Sequence, residues 1–429
     1  MAQPSPEPSH LALLYRVSQA LNSTLELDHV LDTVMDEVIA AVHAERGFLM
    51  LREADGALTF RVARGMDQQA IEQPEFQVSR GIVERVAREG RPLLTSNAMD
   101  DARLATRDSI NILGLRAVLC VPLLLKEAVI GVVYVDNRLR AGIFRPADME
   151  LLAAIAASAA VAIENARLYQ VAVDKGRLER ELQVARDVQT SLLPRATPQA
   201  PGWDLAAHWQ PAREVAGDFY DFIPLRGGDL AKVSGGPSQG LGIVIADVAD
   251  KGMPAALFMA LTRSTVRASL SGAPSPGAGL EQANRLICAD AADGMFVTLF
   301  YAALDPAAGE LVYVNCGHNP PLSYQAASGE IVPLTLCGPA LGVVEGASYA
   351  ERTVRLAPDD LVLMYTDGFT EAIDDRGEQF GVGRLQEVVR ANCRRRPAEI
   401  IAALQEALDA FAGTRPPFDD RTIVVVRKL

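Results

Sequence analysis

The stretch Leu151-Leu-Ala-Ala-Ile155-Ala-Ala-Ser-Ala159-Ala-Val-Ala162-Ile163 is small and apolar, and its reading decides how the chain divides. Ala166, Tyr169 and Val173 continue a rhythm of three and four, which puts side chains on one face of a helix. Leu178, Leu182, Ala185, Gln189 and Leu192 then form a second stripe among Arg177, Glu179, Arg180, Glu181, Arg186 and Asp187, an amphipathic or coiled-coil pattern. Proline cannot continue a helix interior, so Leu192-Leu193-Pro194 ends the run that opens at Pro146. The spacing predicts one long helix over 146–193. A step of five from Val173 to Leu178, with Gly176 inside it, reads as a phase change or hinge, or else as a turn between two helices.

A chain of 429 residues exceeds what one hydrophobic core organises, so two domains are expected on either side of that rod. With 49% hydrophobic and 22% charged residues there is apolar material for both cores. The net charge of -13 argues against a nucleic-acid partner, which needs clustered Lys and Arg. Arg394-Arg395-Arg396 is the one basic run, and it reads as a solvated helix terminus. Five scattered cysteines without C-x-x-C spacing predict reduced thiols and a cytoplasmic setting. Residues 1–9 are polar and Pro-rich, unlike a signal peptide, and read as a disordered tail. Leu151 to Ile163 is too short to span a membrane and is flanked by Asp148, Glu150 and Glu164, so no membrane segment is predicted.

Before the rod, the pattern predicts helices over 10–21 and 28–42, the second capped by Asp28. Strands follow over 47–51 and 58–63, joined by a hairpin turn at Glu53-Ala-Asp-Gly56, then a helix over 81–89 and strands over 117–125 and 128–136. This is an α+β domain with helices on one face of an antiparallel sheet. The order of elements, with Arg46-Gly-Phe-Leu, Ala117-Val-Leu-Cys-Val-Pro-Leu and Ile130-Gly-Val-Val-Tyr-Val-Asp136-Asn, resembles a GAF domain over 10–168, which implies a sensor for a small-molecule or protein signal. Asn137, Arg138, Phe144 and Asp148 fit the signature of nucleotide-binding members, while Met149 replaces its glutamate. Cys120 lies in an apolar strand and reads as a buried structural thiol.

After the linker helix over 169–194, the pattern over 195–429 turns strand-rich. Leu241-Gly-Ile-Val-Ile-Ala, Met295-Phe-Val-Thr-Leu-Phe-Tyr, Leu361-Val-Leu-Met-Tyr and Thr422-Ile-Val-Val-Val are apolar on both faces, as strands covered on both sides require. Helices over 254–271, 278–290, 382–393 and 397–411 supply the cover, which predicts a pair of sheets sandwiched between helices, with a long loop over 227–240. Aspartates recur where these strands begin or end: Asp218 and Asp221, Asp247, Asp367, and Asp419-Asp420. Singly, each suits a turn or a cap as well as a site. Together, converging carboxylates repel one another unless cations neutralise them, and all-oxygen ligands suit Mg²⁺ or Mn²⁺ rather than zinc.

Six stretches carry a second resemblance: Glu214-Val-Ala-Gly-Asp-Phe-Tyr-Asp221, Ala246-Asp-Val-Ala-Asp-Lys-Gly-Met-Pro-Ala-Ala256, Met295-Phe-Val-Thr, Val314-Asn-Cys-Gly-His-Asn-Pro-Pro321, Tyr365-Thr-Asp-Gly-Phe-Thr-Glu-Ala372 and Asp419-Asp-Arg-Thr. In order, they are similar to the metal-dependent type 2C (PPM) protein phosphatases of the bacterial SpoIIE and RsbU branch, with Ala216 where a glycine is usual. Glu181 to Pro194 matches the helix that precedes the catalytic domain there.

The resemblance implies an α-β-β-α sandwich and hydrolysis of phosphoserine or phosphothreonine by a water activated between two Mn²⁺ or Mg²⁺ ions. By position, Asp247 bridges the ions with the Val248 carbonyl assisting, Asp218 completes one site, and Asp367 and Asp419 complete the other. Arg213 is a candidate phosphate clamp, Asp221 and Asp420 candidate groups that orient ligands, and His318 a loop residue or a general acid. The implied substrate is a phosphorylated anti-sigma-factor antagonist of the STAS type. Pairing of the rod with a second copy implies a parallel homodimer. Two other readings stay open: a ligand-sensing scaffold with a non-catalytic phosphatase-like domain, and hydrolysis of a nucleotide second messenger by the same metals.

Overall fold

The computed structural model describes residues 15, 17–20, 26–67, 69–71, 78–95, 116–225, 240–291 and 294–429. The tail expected over 1–9 and the loop over 227–239 lie outside the described residues, as does most of the helix expected over 10–21. The chain forms two compact units, Met1–Leu178 and Glu179–Leu429.

In the first unit, α1 (Leu27–Val42) leads into the hairpin of β1 (Arg46–Arg52) and β2 (Leu58–Gly65). Gly56 closes the hairpin turn at φ 86, its N–H donating to the Glu53 carbonyl at 3.0 Å, a conformation that glycine adopts without strain. After α2 (Arg80–Glu89) come β3 (Leu93–Thr95), β4 (Ala117–Leu125), β5 (Ala128–Asn137) and α3 (Pro146–Leu192). The five strands form one antiparallel sheet in the order β2-β1-β5-β4-β3.

Alternation along the strands covers both faces of this sheet, where the sequence predicted one. Leu49, Leu119, Val121 and Val133 pack with Val34 and Val38 of α1 and Ile155 and Ala159 of α3. On the other side, Phe48, Val118, Cys120 and Tyr134 pack against Ile82 and Val86 of α2. The short α2 carries few apolar residues, so its pattern did not announce a second buried face. Cys120 is fully buried, and burial pushes its thiol far above the ordinary range, which makes it inert. A second correction concerns Asp28, which lies in the first turn of α1; the cap is Glu26, whose side chain makes no capping bond.

The nucleotide-type signature holds the β5–α3 connection together. Asn137 Oδ1 accepts from the N–H groups of Leu139 and Arg140, Phe144 is buried, and Asp148 Oδ2 accepts the Arg145 N–H at 2.7 Å.

Helix α3 is unbroken through Gly176, one 47-residue helix rather than two. The stripe Leu168, Val171, Lys175, Leu178, Leu182, Ala185, Gln189, Leu192 advances in uninterrupted steps of three and four, so the break at Gly176 belongs to the stripe through Tyr169 and Val173 and not to this one. An 18-residue window of α3 is apolar enough to cross a membrane by length and composition, and half of it is buried in the protein. Leu151, Leu152, Ile155, Ala156, Ala159 and Ile163 are core residues of the first unit.

The second unit stacks two five-stranded sheets. One has the order β13 (Arg352–Arg355), β10 (Glu310–Cys316), β9 (Val297–Asp305), β8 (Gly240–Val248), β7 (Phe219–Leu225). The other runs β12 (Glu330–Pro333), β11 (Leu322–Gln325), β14 (Leu361–Tyr365), β15 (Arg421–Lys428), β6 (Trp203–Gln210). Phe222, Ile243, Ile245, Phe300, Met364 and Val424 fill the space between the sheets. Helices α4 (Met253–Leu270) and α5 (Pro276–Asp290) cover the first sheet, and α6 (Gly381–Asn392) and α7 (Pro397–Ala412) cover the second. Side chains such as Ile243, Phe300 and Val424 are 0% exposed, and each such burial contributes about 1.5–3 kcal/mol.

Candidate active site

Strand direction brings the aspartates together. β7 and β8 are antiparallel with Phe219 opposite Ala246, so Asp218, just before β7, lies beside Asp247 at the end of β8. β14 and β15 are antiparallel with Tyr365 opposite Ile423, so Asp367, just after β14, meets Asp419 and Asp420, just before β15. The two sheets are tied at this edge by Asp218, whose Oδ2 accepts the Thr366 hydroxyl at 2.6 Å and the Thr422 hydroxyl at 2.7 Å.

Two glycines permit the close approach. A Cβ on Gly368 would stand 2.0 Å from the Asp420 carbonyl, and one on Gly217 would stand 3.0 Å from the Val248 carbonyl. Val248 thus turns its carbonyl toward the loop that carries Asp218. Ala216, by contrast, is absent from the residues with positive φ, so the usual glycine is not required there.

The electrostatics are those of carboxylates packed against each other. Burial, then the neighbouring Asp247 and Asp420, drives Asp218 well above the usual carboxylate range. Burial raises Asp247 to about 7, with Asp367 and Asp419 adding to the effect, and its carboxyl is within hydrogen-bonding reach of Asp218. Asp367 is pushed up to about 6 by burial and by Asp419. Among the described residues no group of three or more His, Cys, Asp or Glu side chains encloses an ion position as it stands. Buried, mutually destabilised oxygen donors fit a hard divalent cation.

The remaining candidates fall in different places. Asp420 accepts the N–H groups of Ala212 at 2.8 Å and Gly217 at 2.7 Å, and so holds the loop before Asp218. Arg213 is exposed and lines a small hollow with Lys251, Asp419 and Asp420. Asp221 is not in the cluster. It points to the helix side of its sheet, where Arg267 binds it at 2.8 Å and Arg263 at 3.1 Å, because two residues along a strand from Phe219 return to the α4-facing side. His318 is buried, with Nδ1 2.8 Å from the Thr298 hydroxyl and its N–H bonded to Asn315. Burial lowers it to about 4, so it is a neutral, structural imidazole.

Thr366, Thr422 and Lys251 were not singled out from sequence, although each sits inside a quoted motif. A hydroxyl one residue before Asp367 and another three after Asp419 were the available signals.

Residues 237–429 match the family model described as Stage II sporulation protein E (SpoIIE), and residues 26–163 match the GAF domain model. The chain joins a GAF-type domain to a SpoIIE-type domain. The SpoIIE match takes in Asp247, Val248, Asp367 and Asp419, and begins after Asp218. The chain is 32% identical over 274 residues to Protein IcfG of Synechocystis sp., an alignment covering 57% of this chain and 41% of that protein. It is 26% identical over 251 residues to Phosphoserine phosphatase RsbU of Bacillus subtilis, covering 58% of this chain and 71% of that one. Against the SiaA-PP2C domain of Pseudomonas aeruginosa the TM-score is 0.51 at 23% identity, over 60% of this chain and 99% of that domain, which shows the type 2C fold for the SpoIIE domain.

Proposed function

We propose that the chain is a signal-regulated protein phosphatase that removes phosphate from serine or threonine of a partner protein. The observation that carries this is the meeting of four strand ends that packs Asp218, Asp247, Asp367 and Asp419 into mutual electrostatic contact within a SpoIIE-type domain. Asp247, with the Val248 carbonyl, and Asp218 would hold one Mn²⁺ or Mg²⁺, and Asp247, Asp367 and Asp419 the second. Two such ions, when bound, supply an activated water and neutralise charge on the phosphoryl group.

The chain's own residues set up that chemistry. Thr366 and Thr422 fix one oxygen of the buried Asp218, and Asp420 fixes its loop. Arg213, exposed beside this edge, is positioned to meet a phosphoryl oxygen, since a guanidinium matches phosphate geometry.

The substrate we infer is a phosphorylated STAS-type antagonist of an anti-sigma factor, supported by the similarity to RsbU. The GAF domain would receive the signal; a cavity of about 870 Å³ lined by Met50, Arg52, Phe60, Val83 and Ala87 could admit a small molecule. A parallel homodimer is our reading of α3, and a cytoplasmic setting our reading of the five scattered cysteines. Leu168, Val171 and Leu178 are 57–59% exposed on its continuous stripe, the pattern of a helix that pairs with a copy of itself. Incubating the full chain and Mn²⁺ with a STAS protein phosphorylated on serine tests the substrate. Release of phosphate is expected, and a phosphoserine left intact would overturn the assignment. Light scattering at micromolar concentration is expected to give the dimer mass, and a monomer would overturn the pairing.

A further inference from the structure

The connection between β8 and α4 carries a cation into the carboxylate cluster. Lys251 Nζ is 2.9 Å from Asp419 Oδ2, donates to the Phe418 carbonyl at 3.2 Å, and stands 4.0 Å from the centroid of the Phe418 ring. Its backbone is held as well. Asp250 adopts φ 85, its Oδ1 accepts the Lys251 N–H at 2.8 Å, and Gly252 follows at φ 82 before α4 begins. This bend aims the side chain back over Asp419 rather than along the helix. Among the described residues, the other basic side chains near this edge are placed differently: Arg263 and Arg267 bind Asp221, Arg421 binds Asp409, and Arg213 is exposed. The Lys251 charge also acts on Asp367, where it partly offsets the effect of Asp419.

We propose that Lys251 is a built-in counter-ion of the Asp367–Asp419 half of the site, which a divalent cation has to displace from Asp419 before it binds there. The inference rests on the reading that Asp367 and Asp419 hold such a cation. An ammonium and a dication cannot share one carboxylate without strong repulsion, so the two compete. The competition affects one ion more than the other, because Lys251 is paired with Asp419 and not with Asp218. Ion occupancy at that half thereby becomes the weaker, adjustable step. Lys251 is 33% exposed, so the displaced ammonium can move into solvent without leaving a buried charge.

Calorimetric titration of the full chain with Mn²⁺, without substrate, tests this. Wild type is expected to show a tighter and a weaker ion. Lys251→Met should tighten the weaker one about ten-fold, or ~1.4 kcal/mol, and leave the tighter within about two-fold. Lys251→Arg, which keeps the charge, should bind as wild type. Lys251→Gln repeats the test if the methionine variant folds poorly. Thermal melts give a second readout: the neutral variants should melt lower than wild type without Mn²⁺, and the gap should close with it. A weaker ion bound by Lys251→Met and Lys251→Gln no more tightly than by wild type overturns the inference and leaves the cation site standing. Absence of Mn²⁺ binding in wild type overturns the cation site itself, and this inference with it.

Discussion

The side chain of Gln189, near the end of α3, is bonded at both ends to one backbone unit: Nε2 donates to the Ala216 carbonyl at 2.6 Å and Oε1 accepts the Ala216 N–H at 3.0 Å. Gln189 is 4% exposed, and Ala216 is two residues before Asp218. The loop carrying Asp218 is therefore held by α3 at Ala216 and by Asp420 at Gly217. Gln189→Met keeps the volume and leaves two buried backbone groups without partners, at about 1–3 kcal/mol each. Mn²⁺ affinity, read by calorimetry, should fall several-fold or more as the loop loosens; an unchanged affinity would detach α3 from the site.

Arg46 and Asp136 face each other across β1 and β5 and form a two-point ion pair, Nε to Oδ1 at 2.9 Å and a second nitrogen to Oδ2 at 2.6 Å. Burial raises the Asp136 carboxyl in spite of Arg46, so the pair depends on both members. Asp136→Asn should cost about 3–5 kcal/mol by removing the carboxylate paired with a buried guanidinium. The tryptophans, Trp203 and Trp209, both lie in β6, so their fluorescence reports the SpoIIE domain. The substitution should lower the first circular dichroism transition in urea without an equal shift of the tryptophan transition.

Asp221 offers the complementary case. Removing it strands Arg263, 15% exposed, and should destabilise the SpoIIE domain by about 3 kcal/mol, read by tryptophan fluorescence. Because its carboxylate lies on the opposite face of the sheet from Asp218, Mn²⁺ affinity in Asp221→Asn should stay within about three-fold of wild type.

His318 gives a pH dependence with a defined sign. Its folded pKa is depressed, by burial, from 6.5 to about 4, so the stability it contributes is present above about 6.5 and is lost as pH falls through about 4. The full effect is on the order of 3 kcal/mol. His318→Gln should lose less stability than wild type between pH 7 and 4, measured by urea unfolding; parallel curves for the two proteins would contradict this.

The sheet pair and the strand ends with aspartates were legible because strand periodicity and apolar runs are local signals. Asp221 was misassigned because sequence shows an aspartate beside the cluster but not which face of β7 it takes, nor that Arg263 and Arg267, more than forty residues on, come back to it. The second buried face of the GAF sheet was missed because α2 has only four buried apolar residues, Ile82, Val83, Val86 and Ala87. Thr366 and Thr422 stand beside Asp367 and Asp419 in the sequence, but local pattern does not show that both hydroxyls meet Asp218, nor that Lys251 meets Asp419. The Gly176 hinge came from following one stripe of α3, whereas the neighbouring stripe passes it without a break.

The proposed two-ion site depends most directly on Asp247, the carboxylate that interacts with Asp218, Asp367 and Asp419. Phosphate release from a phosphoserine substrate should be measured for wild type and Asp247→Asn, with Mn²⁺ and with EDTA, alongside circular dichroism. The expected result is Mn²⁺-dependent turnover in wild type, abolished by EDTA and reduced at least ~10³-fold in Asp247→Asn at unchanged secondary structure. Turnover in Asp247→Asn near the wild-type rate, or wild-type turnover indifferent to EDTA, would contradict it.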